Sequence, residues 1–141
     1  MKPFEHIVIH YDEIGLKAAN RGSFEKLLKN NIALALGNAR VSARRESGQQ
    51  TVTIAPDADR VAVCIALSRI PGIAYFSPAW HVTLSIDDMR STAIELMREQ
   101  SFHTFGVATK RRDKNNAFRS AEVNRMLGAA VLEAMPDKKV N

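Results

Sequence analysis

The apolar positions in the first half of the chain switch between strand-like and helix-like spacing. Alternation over residues 5–11 predicts a strand with Ile7 and Ile9 on one face and Val8 on the other. A helical period follows from about residue 22 to 36, and Gly37-Asn38 is typical of a helix C-terminus. The predicted apolar side of this helix carries Phe24, Leu27, Leu28, Ile32 and Ala35.

Four further elements complete this half of the chain. They are strands over 39–45 and 51–55, a helix over 58–69 and a strand over 73–82. Asp57 is the predicted N-cap of the second helix, and Pro78 indicates that the last strand lies at a sheet edge or carries a bulge. The order βαββαβ predicts an α+β fold, with a ferredoxin-like domain over residues 1–82.

The second half, residues 83–141, reads as a smaller α/β unit. A helix over 86–99 is predicted to be capped by Ser85, and a strand over 104–109 follows. A helix over 121–134 carries the most regular apolar stripe, which is interrupted by Gly128; close approach of another backbone would explain that glycine.

Only one strand of this second unit is convincing, although the last residues, Val140-Asn141, resemble the beginning of another. We therefore expect an incomplete unit and an amino-terminal fragment of a longer protein. The 104–109 strand is then expected to present an unpaired edge, which favours self-association, most simply as a two-fold dimer.

Positive charge is concentrated in one segment. Residues 110–125 hold six basic residues against two acidic ones, and so carry four of the five net positive charges of the 141-residue chain. The cations are Lys110, Arg111, Arg112, Lys114, Arg119 and Arg125. A basic segment held between a strand and a helix is typical of nucleic-acid binding. We call residues 110–119 the basic loop.

Two interpretations of the basic loop stay open at this point. Charge runs are often solvated surface without a partner. Asn115 and Asn116 favour binding, because amides bond phosphates, sugars and base edges. Phe118 could stack on an unpaired base, or it could pack under the start of the following helix.

The residue arrangements that most catalytic and metal sites require are missing from the sequence. Cys64 is the single cysteine, and its apolar surroundings favour a buried structural thiol. The four histidines lack ligand spacing, and neither a glycine-rich phosphate loop nor a nucleophile elbow occurs. The sequence therefore predicts no catalytic residue, no metal and no cofactor in this chain. Without an apolar signal segment or a membrane span, we expect a cytoplasmic protein.

Three motifs resemble those of tRNA 4-thiouridine synthetases, also called tRNA sulfurtransferases. Residues 13–21, Glu-Ile-Gly-Leu-Lys-Ala-Ala-Asn-Arg, followed by Phe24-Glu25, are similar to the amino-terminal signature of that family. Ser68-Arg-Ile-Pro-Gly-Ile73 with Phe76-Ser-Pro78 resembles the end of its ferredoxin-like domain. Residues 105–112 and 120–125, with Gly128, resemble its THUMP domain. The resemblance covers essentially the whole chain.

The resemblance implies a function and a set of partners. It implies that these two domains bind tRNA at the acceptor stem and the 3′ end, and that the THUMP portion here lacks its later strands. It further implies a separate adenylating domain that uses ATP and Mg, a cysteine desulfurase as sulfur donor, sulfur supply for the thiazole of thiamine, and a homodimer.

The implied RNA-binding residues are mostly cations of the second unit. By position, Lys110, Arg111, Arg112 and Lys114 would contact phosphates, Arg119 and Arg125 would flank the RNA end, and Asn115 would join them. Lys17 and Arg21 match the first motif, and contact with RNA and a structural role stay equally open for them, because loop cations commonly pair with nearby acids such as Asp12 and Glu13.

Two other functions are compatible with these observations. The chain could be the RNA-binding region of another THUMP enzyme, such as a tRNA methyltransferase or deaminase, although the motif over residues 13–24 argues against this. It could also be a non-catalytic ferredoxin-like oligomerisation or regulatory domain. RNA binding with a steep salt dependence would favour an RNA-binding region over an oligomerisation or regulatory domain.

Overall fold

The chain forms two compact units, Lys2–His81 and Val82–Asn141. The computed structural model describes residues 2–11, 18–37, 41–46, 49–111, 115 and 117–141, without the side chains of 18–20 and 41–46. Within these described ranges, no helix has both the length and the apolar character needed to cross a membrane.

The first unit has the predicted βαββαβ order. Its elements are β1 His6–Tyr11, α1 Ala18–Leu36, β2 Val41–Glu46, β3 Gln49–Ile54, α2 Arg60–Ser68 and β4 Ile73–Ala79. The four strands form an antiparallel sheet in the order β2-β3-β1-β4. Pro78 lies opposite Ile7 on the edge strand β4, where a residue without an N–H is tolerated. The predicted edge position is confirmed, and so is the α+β fold class.

One face of this sheet forms the core with the two helices. Alternation buries Ile7 and Ile9 of β1 and Val52 and Ile54 of β3 on the same side. The helices cover this face with Leu28, Ile32 and Leu36 of α1 and Val63 and Leu67 of α2. Each of these side chains contributes about 1.5–3 kcal/mol by leaving water, so the cluster dominates the stability of this unit.

The first helix differs from its prediction in its start and in its buried face. It begins at Ala18 rather than at residue 22. Leu27 is 59% exposed and Ala35 is exposed, although both were predicted on the apolar side. The buried line instead runs through Glu25, Leu28, Ile32 and Leu36, whose spacings of three and four residues keep them on one side of a helix.

The second helix begins later than predicted, at Arg60. Its N-cap is Asp59 rather than Asp57, and the Asp59 carboxylate accepts a hydrogen bond from the Ala62 N–H at 3.1 Å. The reason is the preceding turn, in which the Ala58 N–H donates to the Ala55 carbonyl at 3.0 Å. Strand β4 also ends earlier than predicted, at Ala79, because its ladder partner β1 begins at the opposing residue His6.

The second unit contains α3 Ile86–Arg98, β5 Thr104–Phe105, α4 Ser120–Ala134 and β6 Lys139–Val140. The predicted Ser85 cap of α3 is confirmed, since its hydroxyl accepts from the Asp88 N–H. Strands β5 and β6 pair in parallel, and α4 provides the crossover between them.

Two expectations for this unit are wrong. The strand predicted over 104–109 ends at Phe105, because β6 offers partners only to Thr104 and Phe105. A Cβ added at Gly128 meets no atom within 4 Å among the described residues, so close backbone approach does not explain this glycine.

Candidate nucleic-acid interface

Residues 106–109 connect β5 to the basic loop. A hydrogen bond within the chain joins the two ends of this loop. Lys110 is exposed, whereas Arg111 is half-buried and its Nη1 donates to the Phe118 carbonyl oxygen at 2.9 Å. This bond joins residues seven positions apart, at the two ends of the loop. Arg111 therefore links the two ends of the loop as well as supplying a charge.

The basic loop ends at the N-terminus of α4. Arg119 occupies the N-cap position with extended backbone angles, φ −90° and ψ 141°, and its side chain makes no capping hydrogen bond. Its carbonyl accepts the Val123 N–H at 3.0 Å, so the helix is initiated by the backbone alone. The first N–H groups of a helix are left for other acceptors when no side chain caps them, and the helix dipole favours an anion there. An exposed arginine at this position adds a full positive charge.

The other predicted contact residues of this unit fall into two groups. Asn115 and Arg125 are exposed, the latter on the second turn of α4. Arg112, Lys114 and Asn116 lie outside the described residues. Phe118 is half-buried and bonds Arg111 through its carbonyl, so its backbone has a structural role whichever group its ring contacts.

In the first unit, Arg21 belongs to a buried hydrogen-bond network. The Glu25 side chain has no solvent exposure, and its Oε1 accepts from the Tyr11 hydroxyl at 2.5 Å and from Arg21 Nε at 3.2 Å. The Gln50 amide donates to the Glu25 carbonyl at 2.7 Å. We call Tyr11, Arg21, Glu25 and Gln50 the carboxylate network, and it ties the end of β1 to the start of α1 and to β3.

This network decides part of the question left open for Arg21. The ion pair considered with Asp12 or Glu13 falls outside the described residues, as does Lys17, but Arg21 pairs with Glu25 one turn along α1. The pKa of Tyr11 is raised, first by burial and then by its hydrogen bond to Glu25. Arg21 therefore has a structural role, while its side chain remains 47% exposed.

The sequence did not indicate that Glu25 and Tyr11 belong to one site. A charged residue on a helix is usually taken to face solvent, although the spacing of four residues from Arg21 to Glu25 is a signal for an ion pair. The Tyr11 partner is fourteen positions away from Glu25 and is brought to it only by the fold.

Cys64 is half-buried on α2 rather than fully buried. Burial raises the pKa of its thiol, which keeps the sulfur protonated at neutral pH. A protonated thiol is a poor nucleophile, so this cysteine retains the structural interpretation.

Two family profiles match consecutive segments of the chain. The ThiI ferredoxin-like domain matches residues 6–77, and the THUMP domain matches residues 84–141. The chain belongs to the tRNA sulfurtransferase family. The order of the two profiles is the order that the sequence motifs predicted.

Curated relatives and solved structures agree with this membership. Probable tRNA sulfurtransferases from Streptococcus pneumoniae (strain ATCC BAA-255 / R6) and Brevibacillus brevis are 34% and 35% identical, over 97% and 94% of this chain. The chain spans about a third of their length, 34% in both cases. Among solved structures, a 4-thiouridine synthetase–RNA complex with bound ATP matches with a TM-score of 0.77 at 26% identity, covering 98% of this chain and 35% of that one. A Pyrococcus horikoshii protein matches equally well, with a TM-score of 0.77 at 27% identity over 97% of this chain and 47% of that one.

Proposed function

We propose that this chain is the tRNA-binding amino-terminal region of a tRNA sulfurtransferase, and that it binds the acceptor stem and 3′ end of tRNA through the basic loop and α4. The observation that carries the proposal is the cluster of exposed cations around a closed loop at a helix N-terminus. The THUMP match over the same residues and the RNA in the complex of a structural relative support it.

The exposed cations are expected to act mainly on phosphates. Lys110, Arg119 and Arg125 are all exposed, so phosphate oxygens can reach them without rearrangement of the protein. Each cation that neutralises a phosphate releases counterions, which makes affinity fall as salt rises. Base-paired RNA offers backbone and shape rather than readable base edges, so we expect little sequence preference from this contact.

The proposal extends to the longer proteins of this family. The reaction would form 4-thiouridine in tRNA with ATP and Mg bound elsewhere in the protein, with a cysteine desulfurase as sulfur donor, and it would also supply sulfur for the thiazole of thiamine. This chain would bind RNA without catalysing a step, in the cytoplasm and as part of a homodimer. The chain spans about a third of the length of the Streptococcus pneumoniae relative, and the catalytic part would lie in the remainder of the longer proteins.

The test measures tRNA affinity against salt for single charge reversals. Lys110→Glu, Arg119→Glu and Arg125→Glu should each weaken binding and reduce the slope of log K against log salt by about one, since each phosphate contact contributes about 0.9. Arg98→Glu is the matched control, because Arg98 is exposed in the same unit but lies at the C-terminal end of α3. An equal loss in the control would show that only net charge matters, and unchanged affinity in all three loop variants would refute the proposed interface.

A second comparison separates charge from loop geometry at Arg111. Arg111→Lys keeps the charge but replaces the planar guanidinium that bonds the Phe118 carbonyl with an ammonium group of different reach and donor geometry. We expect it to weaken tRNA binding while leaving the salt slope nearly unchanged, because the remaining cations lose their alignment rather than their number. The same slope loss as in Arg119→Glu would contradict the assigned role.

The expected absence of catalysis has its own assay. The purified chain, supplied with cysteine desulfurase, ATP and tRNA, should form no 4-thiouridine above background. Sedimentation of the same sample would test the dimer, which should persist in high salt if apolar surface holds it together.

A further inference from the structure

The sheet of the first unit has a second face that the helices do not cover. Because Ile7 and Ile9 are buried on the helix side, the alternate residues of β1 lie on the other face. We call this the outer face. Its described residues are His6, Val8 and His10 of β1, Gln49, Thr51 and Thr53 of β3, and Tyr75, Ser77 and Ala79 of β4.

The outer face carries an aromatic stack. His10 and Tyr75 lie opposite each other in the β1–β4 ladder, with ring centroids 4.2 Å apart and an interplanar angle of 13°. Tyr75 is 60% exposed even though it is stacked. Since β4 is the edge strand, the tyrosine ring borders the open side of the sheet. Stacking therefore restrains the Tyr75 ring, while much of the ring stays exposed to solvent.

The groups around this stack are polar and capable of hydrogen bonding. Thr53 Oγ1 lies 3.3 Å from His6 Nδ1, and Thr51 and Ser77 occupy the row between them and the stack. Apart from the Tyr75 ring, Val8 and Ala79, the outer face offers an apolar protein partner little to bury. A flat ring with hydroxyl and imidazole groups beside it suits a nucleobase and its ribose, because bases stack on aromatic side chains and their edges hydrogen-bond.

Charge on the same sheet also favours RNA. Strand β2 lies at the opposite edge, and its Arg44 occupies the register position across from Thr51. Residues 2–81 hold ten basic and seven acidic residues, so this unit is net positive by itself. Sheets with the same βαββαβ order bind single-stranded RNA on their helix-free face in RNA recognition motifs, where aromatic side chains stack on two or three bases.

We propose that the outer face is a second RNA site, in which an unpaired nucleobase stacks on Tyr75 and extends the His10–Tyr75 pair. The proposal rests on the tRNA-binding function, but it assigns a different contact. The basic loop and α4 are expected to hold phosphates of the acceptor stem and 3′ end, whereas the outer face would stack on the base of an unpaired nucleotide. Because His10 already restrains the tyrosine ring, little side-chain freedom is lost when a base is added.

The experiment uses the 141-residue chain and three RNA probes. They are whole tRNA, a six-nucleotide single strand with a central 2-aminopurine, and a blunt RNA duplex without unpaired nucleotides. Tyr75→Ala should weaken single-strand binding about tenfold and abolish the change in 2-aminopurine fluorescence that stacking causes. Tyr75→Phe, which keeps the ring, should retain both. Leu34→Ala is the control for loss of an exposed apolar side chain, since Leu34 is 80% exposed on α1.

The outcomes separate this proposal from the one it rests on. Failure of the unmodified chain to bind tRNA would refute both. Normal tRNA binding with an unchanged single-strand affinity in Tyr75→Ala would refute the outer-face site and leave the basic loop standing. An equal loss on the single strand and the duplex would also overturn it, because bases inside a duplex stack on their neighbours and offer no free face to a side chain. Unfolding curves of each variant distinguish a protein that is misfolded from a folded protein that has lost its contact with RNA.

Discussion

The carboxylate network predicts a large cost for removing one oxygen atom. Tyr11→Phe deletes the hydroxyl that donates at 2.5 Å to a Glu25 side chain with no solvent exposure. Water cannot replace the lost donor at a fully buried carboxylate without rearrangement, and hydrogen bonds to charged groups are worth about 1.5–3 kcal/mol. We therefore expect the free energy of unfolding to fall by about 2 kcal/mol, since the ring and its packing remain.

The assay is urea and thermal unfolding followed by circular dichroism. A loss of about 2 kcal/mol in a domain of this size lowers the midpoint temperature by roughly 8–16 °C. Tyr75→Phe is the matched control: it removes the same atom from a ring that is 60% exposed, and it should change the unfolding free energy by less than about 0.5 kcal/mol. Equal and small losses in both variants would refute the stabilising role of the network.

The pH dependence gives a second readout with a definite sign. Burial and the Glu25 carboxylate raise the pKa of Tyr11 above its ordinary value of 10.0, so the folded chain holds this proton more tightly than the unfolded chain. The resulting stability is fully present below pH 10 and is lost as the pH rises through the raised pKa. The gap between the unmodified chain and Tyr11→Phe should therefore narrow above pH 10. A gap that widens there would contradict the direction of the shift.

Three further predictions concern single positions. Gly128→Ala should raise the unfolding free energy by up to about 1 kcal/mol in denaturant titrations, because the added Cβ meets no atom within 4 Å among the described residues and alanine favours a helix; a loss of stability would mean that the space is occupied. Asp59→Ala should lower the unfolding free energy by about 1 kcal/mol in the same titrations, since its carboxylate caps α2 by accepting the Ala62 N–H; an unchanged free energy would contradict that assignment. Cys64 should react with iodoacetamide more slowly than free cysteine at pH 8, with a rate that still rises at higher pH because burial raises its pKa; a rate that levels off by pH 8 would oppose this direction.

The helices and strands could be predicted from the sequence because their signals are local. Alternation in β1 and β3 and the helical spacing in α4 depend only on which neighbours share a face. Where an element ends depends on its partner, which the segment itself does not encode. Residues 104–109 continue to look like a strand, yet the ladder stops after Phe105 because β6 contributes two residues. The same reasoning accounts for β4, since the predicted strand residues 80–82 have no partner in β1.

The candidate site was less accessible to sequence reasoning than the fold. The concentration of cations in the basic loop is visible in the sequence, but the bond from Arg111 to Phe118 is not, since any of the neighbouring cations could have closed the loop. Glu25 was missed for a related reason. Hydrophobic patterning assigns charged residues to the surface, and only the fold brings Tyr11 and Arg21 to the same carboxylate oxygen.

The described cations among the predicted RNA-binding residues fall into two physical classes, and the distinction decides how their variants should be interpreted. Arg111 and Arg21 each bond another group of the protein, so replacing either changes the structure around it as well as the local charge. Lys110, Arg119 and Arg125 are exposed, and in the proposed interface their replacement should change mainly the electrostatic attraction for phosphate. A loss of RNA binding after reversal of Arg111 alone would not separate these causes. The slope of log K against log salt does separate them. A displaced cation lowers the affinity and leaves the slope nearly unchanged. A missing phosphate contact lowers the affinity and also reduces the slope, because fewer counterions are released.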